Sequence, residues 1–232
     1  MSLLINPHRF TPVLPAATRE FIGFYSAANQ GGSSFSVTSV GFGAAASGRR
    51  VFCAVTWVAT TDSAAASAAT IGGVAATIHA QKRVIAYSAH MRSALISAPL
   101  DAGTSGSVVV TAGSTKYYPR VASYKVMGLL SSTAVDTDVS VGSAARTFSQ
   151  AVDVTQGGIV LAVANTYHAA AGAGSIITGA TEDYDYSVTA EVRTVGGSHL
   201  VTADESGRAV VFDIDYPPST SMSAAICVAS FR

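Results

Sequence analysis

Short runs of residues typical of β-strands recur along almost the whole chain. From Arg19 onward, segments rich in Val, Ile, Thr, Phe and Tyr follow one another about every 8–12 residues, separated by Gly, Ser or Asp. In the run 208–216, Val210, Phe212 and Ile214 fall on one face while Asp213 and Asp215 fall on the other, as expected of a strand with one face on a core. This recurring pattern predicts an all-β protein.

The number of these runs indicates packed sheets rather than one open sheet. Open twisted sheets rarely exceed about ten strands, so two sheets packed face to face fit the pattern better. We therefore predict a single two-sheet β-sandwich, jelly-roll-like, over residues 19–232. The predicted strands cover residues 20–27, 34–42, 50–59, 75–81, 84–98, 107–112, 120–130, 138–141, 148–154, 158–166, 175–181, 187–194, 199–203, 208–216 and 223–231.

Paired glycines predict turns between strands, because glycine accepts the positive φ that tight hairpins require. Such pairs occur at Gly72-Gly73, Gly157-Gly158 and Gly196-Gly197. The alanine-rich residues 63–70 show no apolar face that would stabilise a helix, and we expect a loop there.

The first eighteen residues differ from the rest. They hold three of the seven prolines and no alternating pattern, and proline lacks the donor needed inside a sheet. We expect residues 1–18 to form an extended N-terminal arm that lies on a partner, and a frayed terminus is the alternative.

The composition argues against several classes of partner. Charged residues make up 12% of the chain, and 14 basic residues balance 14 acidic ones. Nucleic-acid and membrane-surface binders need a basic face, so neither partner is expected. The sequence also lacks a secretory signal and an apolar run of membrane-spanning length, and we expect synthesis in a cytoplasm. Ala, Ser, Val, Thr and Gly account for 140 of the 232 residues.

Two cysteines and several aromatic residues lie in strand-like or turn-like contexts. Cys53 and Cys227 each stand in an apolar run without a C-x-x-C motif, which predicts two buried free thiols, with a disulfide as the alternative. Trp57, in the most apolar run, is predicted to lie in the core. Tyr117 and Tyr118 are expected at an exposed turn, where they are candidate contact residues.

Motifs for catalysis or metal binding do not occur in the sequence. There is no G-x-S-x-G element, and none of the five histidines stands in an H-E-x-x-H or H-x-H motif. We predict no enzyme activity, no metal and no cofactor. We expect the histidines to be partly exposed on strands, and a pair of His79 and His90 facing each other across a hairpin near residues 81–84 is the alternative. A glycoside hydrolase with two carboxylates in one cleft is the enzymatic alternative.

Residues 182–186 form the densest polar and aromatic cluster of the chain. We expect a loop in which Asp183 and Asp185 accept hydrogen bonds from sugar hydroxyls, while Tyr184 and Tyr186 stack on sugar rings. A calcium loop and a solvated turn are the alternatives, although calcium prefers more widely spaced oxygen ligands.

Several segments resemble a domain common in structural proteins of tailed bacteriophages and related prophage particles. The opening Ile5-Asn6-Pro7-His8-Arg9-Phe10 is similar to the start of many such virion proteins, in which tyrosine is more usual at the position of His8. The turn-rich segments 70–77 and 97–111 and the strand-like segments 48–57 and 224–231 carry the rest of the resemblance.

The resemblance implies a β-sandwich on a virion and carries over no catalytic position. We expect a non-enzymatic, self-assembling structural protein made in the host cytoplasm, either a capsid decoration or a tail-tip or fibre component. Ile5 to Phe10 would anchor it to other capsid or tail proteins. The alternative is a receptor-binding, lectin-like module that recognises host glycans through residues 183–186.

Overall fold

The computed structural model describes residues 16–61, 65–86, 89–143, 146–167, 174–189, 191–215 and 223–232. These residues form sixteen β-strands and no helix, which confirms the predicted all-β class. In chain order the strands are β1 (Thr18–Ser26), β2 (Ser34–Gly41), β3 (Arg50–Ala59), β4 (Ala66–Ile71), β5 (Val74–Ala86), β6 (Ala89–Pro99), β7 (Ser105–Ala112), β8 (Lys116–Met127), β9 (Ala134–Ser143), β10 (Thr147–Val154), β11 (Ile159–Tyr167), β12 (Gly174–Thr178), β13 (Thr181–Ser187), β14 (Val192–Leu200), β15 (Glu205–Asp215) and β16 (Ser223–Phe231).

The strands form three sheets rather than the two predicted. Strands β1 to β8, the first half, make one eight-stranded sheet in the order β1-β8-β3-β6-β5-β4-β7-β2. Strands β9 to β16, the second half, make a five-stranded sheet, β13-β14-β11-β16-β9, and a three-stranded sheet, β10-β15-β12. The second half repeats the strand order of the first half when each strand is matched with the strand eight numbers later. The one difference is that β13 and β12, which correspond to the paired strands β5 and β4, are not paired with each other.

The eight-stranded sheet curls until its two edge strands approach each other. Ser123 of β8 donates through Oγ to the backbone oxygen of Gly41 in β2, at 2.8 Å. The side-chain amide of Gln30, just after β1, donates to the backbone oxygen of Ser36 in β2 (2.8 Å) and accepts the backbone N–H of Ser36 (2.9 Å). The sheet is therefore nearly closed, and the apolar core inside it contains Trp57, as predicted.

Three further apolar clusters join the sheets into layers. Two lie between the outer face of the eight-stranded sheet and the five-stranded sheet, and one lies between the five-stranded and three-stranded sheets. Strands β11 and β16 are consequently covered on both faces, and every residue of β16 is buried. Such strands read as continuous apolar runs rather than alternating ones, and their small side chains let the sheets pack closely.

The alanine-rich run predicted as a loop contains β4. Strand β4 pairs with β5 on one side and with β7 on the other. Its neighbours supply the pairing that an alanine-rich run does not favour by itself, so tertiary context decides its conformation. The predicted Gly72-Gly73 hairpin is confirmed between β4 and β5, where both glycines have positive φ, 59° and 82°.

The predicted turn at Gly196-Gly197 is wrong, because both glycines lie inside β14. The predicted turn at Tyr117-Tyr118 is also wrong, because both tyrosines lie within β8. Tyr118 has a φ of 53°, so the strand is locally irregular at this residue.

The folded part of the chain begins before the predicted end of the arm at residue 18. Ala17 is buried and donates its backbone N–H to the oxygen of Gly157 at 2.7 Å, and β1 begins at Thr18. The last residues of the predicted arm therefore belong to the folded part. The predicted anchor, Ile5 to Phe10, lies outside the described residues.

Both cysteines are buried and free, as predicted. Cys53 lies in the core of the first half, and Cys227 lies in the core between the halves. Burial raises the pKa of both thiols, because a thiolate is poorly solvated there.

Candidate functional site

The polar and aromatic residues 182–186 lie on a strand and not in the predicted loop. They belong to β13, the edge strand of the five-stranded sheet, which pairs with β14. A register shift between Glu182 and Tyr184 interrupts the pairing. The four predicted glycan-binding residues therefore point in different directions and have different surroundings.

Asp183 and Tyr184 connect the two halves of the molecule. Asp183 accepts a hydrogen bond from the Ser198 hydroxyl and lies 3.4 Å from Nη1 of Arg19. Burial raises the pKa of this carboxyl, and its contacts with Ser198 and Arg19 oppose that shift. Tyr184 is only 8% exposed, and its ring stacks on Phe21 of β1 with centroids 5.8 Å apart. These two side chains thus serve the contact between halves, and little of Tyr184 is open to a ligand.

Asp185 and Glu182 join β13 to the three-stranded sheet. Asp185 pairs with the Arg193 guanidinium and accepts the backbone N–H of Ser175 in β12 at 2.9 Å. The carboxylate of Glu182 accepts the backbone N–H of Ile177, also in β12. The hydrogen bonds of Asp185 and Glu182 to β12 join the five-stranded sheet to the three-stranded sheet. Burial and the nearby Asp185 raise the pKa of Glu182.

Tyr186 is the one member of the predicted set that presents a large surface to solvent. It is 47% exposed, although its ring packs on Phe24 of β1 with centroids 5.1 Å apart. The guanidinium carbon of Arg120 in β8 lies 5.9 Å from the Tyr186 centroid, a cation–π distance. Tyr118 also interacts electrostatically with Arg120.

Two aromatic segments that are distant in the sequence therefore meet at Arg120. We call Phe24, Tyr118, Arg120 and Tyr186 the Arg120 patch; it spans the boundary between the halves. The tyrosines were visible in the sequence as candidate contact residues. Arg120 carried no sequence signal, because nothing local connects β8 with β13.

The alternative pairing of His79 with His90 does not form. His79 hydrogen-bonds to the Ser97 hydroxyl at 2.7 Å, whereas His90 is opposite Ile85 in the β5–β6 register. Burial and the nearby Arg50 lower the pKa of His79 to about 4, so it is neutral at pH 7. The bulge near His79 and the length of β5, which continues to Ala86, explain why the two histidines are not opposite each other.

Surface depressions occur elsewhere among the described residues. One of about 500 Å³ is lined by Ala65, Gln81, Lys82, Arg83 and Arg92. One of about 330 Å³ is lined mainly by Asp153, Asp204, Glu205 and neighbouring residues. One of about 340 Å³ includes Arg50, Asp101 and Leu130 in its lining. Within the described ranges, no three His, Cys, Asp or Glu side chains are placed to hold a metal ion.

No family model matches the chain. No similar protein is found among the curated proteins, and no similar fold is found among the solved structures. In the part of the chain that the structure describes, no helix has the length and hydropathy needed to cross a membrane.

Proposed function

We propose that this chain is a non-enzymatic structural protein of a bacteriophage virion, and that each half is a jelly roll. The observation that carries the proposal is the strand order. In the first half, β1-β8-β3-β6 and β5-β4-β7-β2 follow the order of the two four-stranded sheets of a jelly roll, and the second half repeats the order almost completely. Jelly rolls are common in viral capsid proteins and in lectins.

The interior supports a role in assembly. The two halves share a close-packed apolar core, which gives the molecule a rigid surface for contacts with neighbouring proteins. Net charge is zero and charged residues are only 12% of the chain, a composition that favours association between copies. We infer a homo-oligomer that contacts other capsid or tail proteins, as a capsid decoration or a tail-tip or fibre component.

The N-terminal arm is the proposed attachment segment. The described chain starts beside Gly128, and Ala17 is held by Gly157. Fifteen residues precede this point, and a fully extended segment of that length reaches about 50 Å. Ile5 to Phe10 would dock on a neighbouring virion protein within that reach.

Deletion of residues 1–15 tests the attachment, because it leaves Ala17 and β1 in place. We expect the truncated chain to keep its thermal unfolding midpoint and to be missing from particles examined by cryo-electron microscopy. A matched control replaces residues 1–15 with a Gly/Ser segment of equal length, which restores length but not the anchor. Incorporation of either variant at the level of the intact chain would refute the anchor.

A second candidate function is recognition of a glycan on the host surface. The exposed Tyr186 ring beside Arg120 and Phe24 favours it, since a half-exposed aromatic ring can stack on a sugar. Binding of the full chain to a glycan array, with Tyr186→Ala beside it, tests the candidate. Ile176→Ala is the control, because Ile176 is 60% exposed on a different sheet. Array binding that survives Tyr186→Ala would place any glycan elsewhere.

A further inference from the structure

We propose that the Arg120 patch binds the carboxylate of an acidic saccharide, with the sugar ring lying on Tyr186. The inference rests on the second candidate function, glycan recognition, and adds the chemical class of the sugar. It follows from the state of Arg120 and from the aromatic rings around it.

Arg49 illustrates how this fold satisfies a buried arginine. It is 1% exposed, and its guanidinium donates to backbone oxygens at distances between 2.6 and 3.2 Å. Five carbonyl groups take part, those of Phe42, Gly43, Leu100, Ala102 and Gly103. The charge of Arg49 is therefore spread over a complete set of acceptors.

Arg120 is almost as buried, at 9% exposure, but far less well satisfied. Its Nη1 donates to the backbone oxygen of the adjacent Pro119 at 3.0 Å. Its Nε is buried without a hydrogen-bond partner, and no carboxylate among the described residues forms an ion pair with it. A buried cation without a counter-charge and with an unsatisfied donor costs free energy. An anion with at least one acceptor oxygen would supply both the counter-charge and a partner for Nε.

The shape of the guanidinium favours a carboxylate. Its donors lie in one plane and form a fork that matches the two oxygens of a carboxylate. Desolvation lowers the pKa of Arg120, and an anionic ligand would oppose that shift because a nearby negative charge stabilises the charged guanidinium. Because the site is partly shielded from water, each charged hydrogen bond would be stronger than on an open surface.

The surrounding rings favour a sugar as the carrier of that carboxylate. Phe24 packs against Tyr186, with ring centroids 5.1 Å apart, while about half of Tyr186 stays exposed. The electron-rich face of an aromatic ring attracts the C–H groups of a pyranose ring. The hydroxyls of Tyr118 and Tyr186 can donate to, and accept from, sugar hydroxyls. Small ligands bind where a few polar groups converge on an apolar surface in this way.

Titration calorimetry with the full chain tests the inference. The probes are tetragalacturonate and its fully methyl-esterified form, which has the same rings without charge. We expect the acid to bind and the ester to bind at least about tenfold more weakly, since hydrogen bonds between two charged groups are stronger than those to a neutral ester. Added salt should weaken binding of the acid more than binding of the ester.

Variants locate the site. Arg120→Lys keeps a charge but loses the planar fork, and should weaken binding of the acid by about tenfold or more. Tyr186→Ala should weaken acid and ester alike, because it removes the stacking surface. Arg146→Gln is the matched control and should change nothing, since Arg146 is half exposed beside the three-stranded sheet. Thermal unfolding of each variant verifies that it is folded.

Equal affinity for acid and ester would overturn the inference and leave glycan recognition standing. Binding of the acid that is unchanged in both Arg120→Lys and Tyr186→Ala would also overturn it, because the site would lie elsewhere. Failure of both probes to bind at millimolar concentration would refute binding of an acidic saccharide. If no neutral glycan on the array bound either, the second candidate function, glycan recognition, would also be refuted.

Discussion

Tyr184 reaches its place between the halves only because its neighbour on β14 has no side chain. Tyr184 and Gly196 are register partners, and a Cβ on Gly196 would overlap the tyrosine ring. Neither glycine of the Gly196-Gly197 pair is needed for a turn. Gly196 makes room for a ring that stacks on β1.

We expect Gly196→Ala to lower the free energy of unfolding by about 1–3 kcal/mol, because the added methyl group overpacks a buried contact. Urea unfolding followed by circular dichroism measures the change. Gly31→Ala is the matched control, since a Cβ at Gly31 meets no atom within 4 Å. Equal stability of the two variants would contradict this account of the glycine.

At the scale of strands, the two edges of the three-stranded sheet are closed by carboxylates. On the β10 edge, Asp138 of β9 accepts the backbone N–H of Ala151, and Asp136 accepts that of Asp153, each at 2.9 Å. Aspartate side chains thus take the place of backbone carbonyls at an edge strand. Edges protected in this way are less able to pair with another chain.

The β12 edge is closed in the same way from β13. Asp185 and Glu182 accept the backbone N–H groups of Ser175 and Ile177. The acidic residues of β13 therefore hold two sheets together, which explains their density without requiring a ligand. Tyr186, the last aromatic residue of β13, takes no part in these hydrogen bonds and keeps about half of its surface exposed.

Asp185→Ala should lower the free energy of unfolding by about 2–4 kcal/mol, because it breaks a mostly buried ion pair and leaves a backbone donor unsatisfied. Side-chain exposure in the pair with Arg193 is 15% for Asp185 and 12% for Arg193. The amide of Ser175 should also lose hydrogen-exchange protection, which nuclear magnetic resonance can follow.

Asp213→Ala is the control for that variant. Asp213 pairs with Arg146, but the two side chains are 43% and 51% exposed, so its removal should cost less than about 1 kcal/mol. An Asp185 variant as stable as the Asp213 variant would show that the bridge to β12 contributes little.

At the scale of the whole molecule, buried polar bonds fix how the halves meet. Asn165 of β11 is 1% exposed and donates through Nδ2 to the backbone oxygens of Trp57 (3.1 Å) and Arg92 (3.0 Å) in the first half. Ser93 donates to the backbone oxygen of Ala225 at 2.7 Å. Apolar packing is tolerant of small shifts, whereas these directional bonds specify one alignment of the sheets.

We expect Asn165→Ala to lower the free energy of unfolding by about 2–4 kcal/mol, because two buried carbonyls lose their donor and a small cavity forms. Calorimetry should also find a broader transition, since the variant weakens the coupling between the halves. Asn29→Ala is the matched control, because Asn29 makes an exposed bond to the backbone of Tyr118. A sharp transition and unchanged stability for Asn165→Ala would refute a coupling role.

Much of the element pattern was predictable from local composition. The bounds of β3 and β16 agree with their apolar runs at both ends, because these strands are buried on both faces and contain no internal break. The hairpin at Gly72-Gly73 was also predictable, since its positive φ values restrict the choice of residue. Strand β4 was not, because its conformation depends on β5 and β7 beside it.

The candidate site was predictable only in part. Tyr186 and Tyr118 stood out as aromatic residues in polar surroundings, but Arg120 between them did not. Asp183 and Asp185 were assigned to a ligand because acidic residues in a presumed loop have no other visible partner. Arg19 and Arg193, which they contact, lie on different strands, and no local pattern identifies them.

The sequence by itself determined that this chain forms β-strands, and approximately where most of them lie, because strand periodicity and turn chemistry are local properties. It also determined that both thiols and Trp57 would be buried, since they stand in long apolar runs. Only the tertiary structure decided that there are three sheets, that β13 clamps the halves together, and that Arg120 meets Tyr186. Those outcomes depend on contacts between strands far apart in the chain, and alternation specifies which face of a strand is buried but not which strand will cover it.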